Sequence, residues 1–510
     1  MSDISLKDYS LEGVNLIEAS AGTGKTYTLS LLVLRILLEK ENVDLRNILV
    51  VTFTRAATAE LKERIRKFLK IARDCVSGKN ASADHVNPQI AEIVDNAKSL
   101  YQDESELLQR IDFAVLNFDE ASIYTIHAFC QRVLQQYSFE SGSISEVEMI
   151  TDQEDLVREA AEDFWRRRIF NESYCFLHYM IFNRNRMSLA DLISMYYRMP
   201  IDPDVRILPR QREFRDAPEK YLQNLSASKK KALDILNRHE DALKFMLYNQ
   251  GALNGNIYRK NKRDEYFRQC REFLESGENE FILPEKFDLF TSEKIAKSVK
   301  KNCNPPQHEF FEECARIKQI SEDLVAMLDN RNIQMKHDFL NFLRKELPVR
   351  KLENQVLYYD DMLIDLYRAL KKPSSKSLKK FLREQYNAAL IDEFQDTDCV
   401  QYQIFKSIFD HPHTLLYFIG DPKQSIYKFR NADVFTYLEA KKYVKEKKYY
   451  HLGKNWRSEK ALVEAFNILF DVEKPFDFEE GRIDYEKVSA AGKTDEHPLN
   501  IKKDNPAPLK

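Results

Sequence analysis

Near both ends of the chain, apolar runs of strand length alternate with segments of helical apolar period. Uninterrupted apolar runs are typical of strands buried on both faces of a parallel sheet. We predict strands at 14–17, 47–53, 388–391, 414–419 and 449–452, and helices at 27–38 and 56–69. This alternation indicates an α/β fold built on a parallel sheet, with helices on both faces.

The middle of the chain, residues 135–350, has a different pattern. It is rich in Lys, Arg, Glu, Tyr and Phe, has helical periodicity and shows few strand signals. We predict a large, mostly α-helical inserted domain. Its basic clusters at 229–231 and 259–263 have two interpretations, solvated helix faces or contacts to DNA phosphates.

Composition narrows the class of protein. The 510 residues carry a formal net charge of −3, so any contact with nucleic acid must come from local basic patches. The seven cysteines form no CxxC pair, which favours a reducing, cytoplasmic setting over a disulfide framework. The early apolar run near residues 29–38 is shorter than the ~20 residues of a membrane span, so we expect no membrane insertion.

A candidate phosphate-binding loop (P-loop) follows the first predicted strand and opens the first helix. Its glycines let backbone N–H groups surround phosphate oxygens, and its lysine and final threonine suit the β- and γ-phosphates and Mg²⁺ respectively. Alanine stands where the strict pattern begins with glycine, and an ordinary strand–turn–helix is the alternative. The candidate ATP-binding residues are Ala19, Ser20, Ala21, Gly22, Thr23, Gly24, Lys25 and Thr26.

Two acids end the predicted strand at 388–391. In open α/β sheets, ligands bind beyond the carboxyl ends of the strands. Asp392 suits a Mg²⁺ ligand, and Glu393 suits a base that orients or deprotonates the attacking water. Alone, such acids could be a capped strand end, but beside a P-loop they predict an ATPase.

The surrounding stretches resemble the UvrD/Rep family of superfamily-1 DNA helicases, motif by motif and in the family's order. The start EASAGTGKT at 18–26 is similar to the RecB and AddA branch, in which alanine at position 19 is familiar. The chain is thus identified with the N-terminal portion of an exodeoxyribonuclease V beta-subunit-like helicase, with a RecA-like lobe. The further similar motifs are VTFTRAATAEL at 51–61, YTIHAFC at 124–130, YDDML at 359–363, DEFQD at 392–396, FIGDPKQSIYKFRNAD at 418–433 and LGKNWRS at 452–458.

The resemblance implies roles for further residues. In the family, ATP and Mg²⁺ lie between two RecA-like lobes, and single-stranded DNA crosses their tops. Gln424 would sense the γ-phosphate, and Arg457 would reach it from the second lobe. The implied DNA-binding residues are Phe53, Thr54, Arg55, Thr125, His127, Tyr427, Phe429 and Arg430.

Some of these residues have structural alternatives. The rings of Tyr427 and Phe429 can stack on bases without reading sequence, or can belong to the core. For His127, a structural role within the lobe competes with phosphate contact. No convincing glutamine motif precedes the P-loop, so specificity for adenine rests on the resemblance alone.

The family's layout divides the chain into three parts. Residues 1–134 and 351–445 would form the first motor lobe, 135–350 the helical accessory insertion, and 446–510 the start of the second lobe with a truncated tail. Nothing after Arg457 resembles motifs V and VI. We therefore expect the chain to stop before the motor is complete.

Two functions remain open. The first is a DNA-dependent ATPase and helicase in recombination and double-strand-break repair, and the second is a nucleotide-gated single-stranded-DNA-binding module without turnover. The resemblance implies single-stranded and duplex-end DNA as partners, with RecC- and RecD-like or AddB-like subunits. A signalling ATPase unrelated to DNA would leave the aromatic-rich stretch at 418–433 unexplained.

Overall fold

The chain forms two compact units in a computed structural model. Unit 1 comprises Met1–Thr151, Pro200–Asp204 and Gln355–Lys510, and unit 2 comprises Asp152–Met199 and Val205–Asn354. The structure describes residues 6–78, 87–101, 103–137, 148–182, 187–200, 202–209, 218–249, 251–428, 432–444, 448–472, 475–478 and 481–492.

Unit 1 contains a six-stranded sheet in which every neighbouring pair is parallel. The order is β3-β2-β6-β7-β1-β8, so strands distant in sequence lie side by side. The P-loop strand β1 lies between β7 and β8, the two strands of this sheet that come last in the sequence. The six strands are β1 (Gly13–Ala19), β2 (Ile48–Thr52), β3 (Ile123–Thr125), β6 (Ala388–Ile391), β7 (Leu415–Gly420) and β8 (Tyr449–Leu452).

Helices cover both faces of this sheet, because successive strand residues point to opposite sides. Ile17 belongs to one hydrophobic core and Leu16 to the other. The predicted RecA-like α/β fold with helices on both faces is confirmed. The first face carries α1 (Lys25–Glu39), α2 (Arg55–Val76), α3 (Pro88–Lys98) and α4 (Glu104–Leu116). The second carries α5 (Ile126–Gln136), α13 (Tyr359–Lys371), α14 (Lys376–Gln385), α15 (Cys399–Phe409) and α16 (Val434–Tyr443).

One assignment from sequence is wrong. We expected the strand at 449–452 to begin a second lobe, but β8 pairs in parallel with β1, with Tyr450 opposite Ile17. The apolar side of β8 completes the core beside β1, where Tyr450 is 5% exposed. The strand therefore belongs to the sheet that carries the P-loop.

Short strands complete unit 1. Two of them, β4 (Glu148–Ile150) and β5 (Val356–Tyr358), pair in parallel where the chain leaves and re-enters this unit. After α17 (Lys460–Leu469), β10 (Phe476–Phe478) and β11 (Gly481–Ile483) form a hairpin. Strand β12 (Ser489–Ala490) pairs with β9 (Lys454–Asn455). The sequence pattern did not predict these tail strands.

Unit 2 is helical and has its own hydrophobic core. Its helices are α6 (Glu154–Ile169), α7 (Tyr174–Phe182), α8 (Leu189–Tyr197), α9 (Pro218–Lys244), α10 (Arg263–Glu275), α11 (Ser292–Lys297) and α12 (Glu309–Glu353). The prediction that the inserted domain is mostly α-helical is confirmed. In the described part of the chain, no helix has the length and apolarity of a membrane span.

The basic cluster 229–231 does not form one charged surface. Lys229 is 3% exposed, and Lys231 pairs with Glu309 and Glu313 at 2.7 and 3.2 Å. Lys230 is exposed. Two of the three charges are thus used within unit 2, which favours a structural role for this cluster.

Candidate active site

The P-loop joins β1 to α1 and turns on two glycines with positive φ, Gly22 at 78° and Gly24 at 90°. Within the turn, the backbone N–H and the hydroxyl of Thr23 donate to the Ser20 carbonyl at 3.2 and 2.7 Å. Gly24 precedes the first residue of α1, Lys25. The helix N-terminus therefore opens directly from the loop, which is the arrangement that binds phosphate.

The acids after β6 meet the P-loop lysine. Lys25 Nζ lies 2.8 Å from Glu393 Oε2, across 368 positions of sequence. The Glu393 backbone is left-handed, with φ 50° and ψ 44°, a conformation that is costly for a residue with a side chain. The chain therefore adopts an unfavourable conformation at the residue whose carboxylate faces the P-loop.

Asp392 lies beside this pair and is buried, at 7% exposure. Burial raises the pKa of its carboxyl to about 7, the neighbouring charge of Glu393 adds to the rise, and Lys25 opposes it. A bound cation would stabilise the ionised form of Asp392, because the charge of the cation compensates the solvation that the carboxylate loses on burial.

The oxygens at this corner suit Mg²⁺. Asp392 offers a carboxylate, and Thr26, the second residue of α1, offers a hydroxyl. Mg²⁺ takes few protein oxygens and completes its shell with water and nucleotide phosphates. Among the described residues there is no cluster of three or more His, Cys, Asp or Glu that would form an all-protein metal cage. The donor set thus fits a magnesium ion that arrives with a nucleotide.

A buried ionic network supports the same edge of the sheet from β1. Glu18 is 1% exposed and contacts Lys423 at 3.3 Å, Lys441 at 3.0 Å and the Tyr449 hydroxyl at 2.5 Å. Burial alone would raise the pKa of Glu18, but the two lysines and the tyrosine together lower it. The charge holds β1, the segment after β7, α16 and β8 at one point.

The segment after β7 is organised by Asp421. Its carboxylate contacts Lys423 Nζ at 2.8 Å and accepts from Gln424 Nε2 at 2.6 Å. Its backbone N–H donates to the side-chain oxygen of Gln395 at 2.9 Å. Gln424, the predicted γ-phosphate sensor, therefore lies at the carboxyl end of β7, next to the strand that leads to the acids.

The segment after β8 closes over the P-loop. Asn455 Nδ2 donates to the Ala21 carbonyl at 3.0 Å, and the Trp456 N–H donates to the Gly22 carbonyl at 2.8 Å. A Cβ at Gly22 would lie 2.8 Å from the Cβ of Arg457, so glycine is needed for this approach. Arg457 thus stands beside the P-loop within unit 1, whereas we expected it to approach from a second lobe.

The candidate DNA residues lie beyond the carboxyl ends of β2 and β3 and in the segment after β7. The rings of Phe53 and Tyr427 are stacked, with centroids 6.1 Å apart and planes 23° apart. Arg55 is exposed at the start of α2. Phe429 and Arg430 lie outside the described residues.

Three candidate DNA residues have contacts within the unit. Thr54 caps α2 by accepting from the Ala57 N–H at 3.1 Å, and Thr125 caps α5 in the same way through Ala128 at 3.3 Å. His127 Nε2 lies 3.9 Å from Asp360, and its ring meets Tyr359 edge-on. The ring contact with Tyr359 is compatible with a structural role for His127, and its contact with DNA phosphate stays a prediction.

Sequence reasoning assigned no role to several residues of the site. Gln395, Asp421 and Asn455 connect the motifs to one another, and Glu18 anchors them to β1. All four stand inside the family-like stretches, so their position in a motif was a signal. Their partners depend on strand order, which the motifs do not encode.

Comparison with known proteins gives a consistent result. The family model described as UvrD/REP helicase N-terminal domain matches residues 6–445. The chain is 33% identical over 528 residues to the RecBCD enzyme subunit RecB of Buchnera aphidicola subsp. Schizaphis graminum, with 97% of the chain and 40% of that protein covered. It is 32% identical over 500 residues to the same subunit of Escherichia coli K12, covering 95% and 40%.

A third relative agrees with these two. The RecB subunit of Haemophilus influenzae is 32% identical over 504 residues, which cover 91% of the chain and 40% of that protein. The chain therefore spans about two fifths of the length of the relatives it matches.

Proposed function

Since the chain belongs to the UvrD/REP helicase family, we propose that it is the ATP-binding motor lobe of a DNA-dependent ATPase and DNA helicase. Its role would lie in DNA recombination and double-strand-break repair in the cytoplasm. One observation carries the proposal: Lys25, in the helix after β1, and Glu393, in the turn after β6, meet at 2.8 Å at the carboxyl edge of the parallel sheet. A phosphate-binding lysine and an acid able to act on water are two of the parts that ATP hydrolysis uses.

The nucleotide would bind on the P-loop, residues Ala19 to Thr26. Backbone N–H groups and the Lys25 ammonium would hold the phosphates, so that Lys25 exchanges the Glu393 carboxylate for a phosphate oxygen. Thr26 and Asp392 would hold Mg²⁺, and the bound ion would neutralise part of the phosphate charge. ATP and Mg²⁺ are the proposed cofactors.

Release from Lys25 would free Glu393 for catalysis. Its carboxylate would then orient the attacking water or accept its proton. Gln424, held on Asp421, would sense the γ-phosphate, and Arg457 beside Gly22 would offset charge that develops on the transferred group.

Single-stranded DNA would lie across the ends of β2, β3 and β7. Phe53 and Tyr427 form an aromatic platform on which bases can stack without sequence preference. Arg55 would contact phosphate, Thr54, Thr125 and His127 would border the strand, and we retain Phe429 and Arg430 as predictions. Duplex ends and RecC/RecD-like or AddB-like subunits complete the proposed partners, because the relatives are named as subunits of RecBCD enzyme.

The test measures ATP turnover by the chain with and without single-stranded DNA, together with binding of a fluorescent ATP analogue. DNA-stimulated turnover supports the helicase motor. Nucleotide and DNA binding without turnover would instead support the alternative, a nucleotide-gated DNA-binding module. Binding of neither ligand would contradict both functions.

Tyr427→Ala tests the DNA half of the proposal separately. We expect single-strand affinity to fall by roughly tenfold, the effect of losing ~1–3 kcal/mol of stacking, with nucleotide affinity unchanged. Ile426→Ala is the matched control, since Ile426 is 71% exposed and adjacent but cannot stack. Equal DNA affinity in the two variants would remove Tyr427 from the DNA site.

A further inference from the structure

Gln395 is a buried amide between two of the motifs. It lies in the turn after β6 and is 2% exposed. A buried amide is costly unless both of its ends are hydrogen-bonded. Here Oε1 accepts from the backbone N–H of Asp421 at 2.9 Å, and Nε2 donates to Glu393 Oε2 at 2.7 Å. The side chain of Gln395 thus connects the Glu393 carboxylate to the segment after β7.

The turn after β6 and the segment after β7 are in close contact at Gln395. A Cβ at position 420 would lie 2.5 Å from Gln395 Oε1 and 3.0 Å from the Gln395 nitrogen, so glycine at the end of β7 permits the contact. The Ser425 hydroxyl also donates to the Gln395 carbonyl at 3.1 Å. Movement of the segment 420–425 would therefore move Gln395.

The orientation of the amide is determined by its partners. A backbone N–H requires an acceptor and a carboxylate requires a donor, so a flipped amide would place donor against donor at Asp421 and acceptor against acceptor at Glu393. Glu393 Oε2 also accepts from Lys25. When phosphates draw Lys25 away, the hydrogen bond from Gln395 continues to hold the carboxylate.

The residue hydrogen-bonded to Gln395 Oε1, Asp421, lies in the segment that carries Gln424 and Tyr427, the proposed contacts to nucleotide and DNA. Asp421 accepts from Gln424 Nε2 at 2.6 Å, and the stacked ring of Tyr427 lies in the same segment. We propose that Gln395 is a positioning residue that couples DNA occupancy of the segment 421–427 to the orientation of Glu393 at the nucleotide. This inference rests on the proposed function.

The experiment measures coupling by binding, so it does not depend on turnover. The affinity of the chain for a labelled oligothymidylate is measured with and without a saturating non-hydrolysable ATP analogue and Mg²⁺, and the ratio of the two dissociation constants is the coupling factor. We expect roughly 5-fold or more for the unaltered chain, in the range usual for linked sites. In Gln395→Met, which keeps length and apolar packing but has no amide, the factor falls to about 1, while each ligand alone binds within about threefold of the unaltered chain.

Two further variants distinguish a loss of coupling from a general effect of the substitution on folding. Gln395→Asn keeps the amide but is one carbon shorter, so it cannot span both partners, and the factor falls as in Gln395→Met. Gln401→Met is the matched control: Gln401 is 7% exposed in α15, and its side-chain oxygen has no hydrogen-bond partner among the described residues. It retains full coupling.

The outcomes separate this inference from the proposed function. If the unaltered chain binds both ligands without coupling, or if Gln395→Met and Gln395→Asn keep its coupling factor, the positioning role is overturned and the proposed function stands. If the unaltered chain binds neither ligand, the proposed function fails and the inference fails with it.

Discussion

The two units bury charged side chains in different ways. In unit 2, the Lys229 ammonium donates to the carbonyls of Ser276, Gly277 and Glu280 and to the Ser276 hydroxyl, at 2.8 to 3.2 Å. In unit 1, Lys25 donates to the Glu393 carboxylate at 2.8 Å. Both lysines are paired, but three of the four acceptors of Lys229 are backbone carbonyls after α10. The partner of Lys25 is a side-chain carboxylate, which a phosphate would replace in the proposed function.

The difference indicates how a structural charge can be told from a functional one. Lys229 lies 4.6 Å from the centre of the Phe273 ring, and its four acceptors use its donors fully. At the sheet edge, Asp392 is buried with a raised pKa and gains from a cation that the chain itself does not supply. Burial also lowers the pKa of Lys229 to about 8. A shifted pKa alone therefore does not separate the two sites, and the difference lies in whether the partners of the charge can be exchanged for a ligand.

The largest expected effect comes from removing the exchangeable lysine. Lys25→Ala should weaken nucleotide binding by at least ~30-fold, because loss of a charge that contacts phosphate costs ~2–5 kcal/mol. Titration of a fluorescent ATP analogue measures it. Lys70→Ala, an exposed lysine on α2, is the control. Unchanged affinity in Lys25→Ala would remove the P-loop assignment.

The next effect separates binding from chemistry. Glu393→Gln should slow ATP turnover by ~10²–10⁴-fold, because an amide cannot accept the proton of the attacking water. Nucleotide affinity should not fall, since Lys25 loses a competing carboxylate. Steady-state hydrolysis and analogue titration test the two statements. Glu63→Gln on α2 serves as the control, and turnover near that of the control would exclude Glu393 as the base.

The saturated lysine should affect stability alone. Lys229→Met should lower the free energy of unfolding by ~2–3 kcal/mol, because buried carbonyls lose their donor. Urea denaturation measures the change, and nucleotide affinity should stay constant. Lys230→Met alters the adjacent exposed lysine and should have little effect. A loss of nucleotide binding in Lys229→Met would contradict the distinction between the structural Lys229 and the ligand-exchanging Lys25.

The last effect depends on pH and concerns Asp398, a buried acid that caps α15 by accepting from the Gln401 N–H at 2.8 Å. Burial raises the pKa of Asp398 to about 6, the charge of Asp360 adds to the rise, and His127 opposes it. The folded state therefore binds a proton that the unfolded state releases near pH 4, so this group costs stability as the pH rises from about 4 to about 6.

Asp398→Asn should remove this cost, because its side-chain oxygen can still cap the helix. Relative to the unaltered chain, the variant should gain up to ~1.4 kcal/mol per pH unit across that window. Denaturation at a series of pH values measures the difference. Asp95→Asn, at an exposed position on α3, controls for the change in net charge.

Much of the fold follows from local patterns. The strand Ala388–Ile391 has the predicted limits, and α1 begins two residues before the predicted start because Gly24 leads directly into the helix. The P-loop and the two acids could be proposed from the sequence because the residues that define each of them are contiguous. Gln395 and Asp421 were missed as partners because their contact depends on β6 and β7 being neighbours in the sheet. The place of β8 beside β1 was missed for the same reason.

The position of β1 has a consequence for biosynthesis. Strand β1 is translated before the other five strands of the sheet, yet its neighbours are β7 and β8, with Gly13 opposite Leu415 and Ala19 opposite Leu452. At ~5–20 residues per second, an apolar strand waits for tens of seconds before its partners are translated. Such non-local pairing makes folding slow and exposes the nascent chain to chaperones. The helical unit, encoded in between, can fold during that wait, and the proposed nucleotide site is complete only after β8 has been translated and paired with β1.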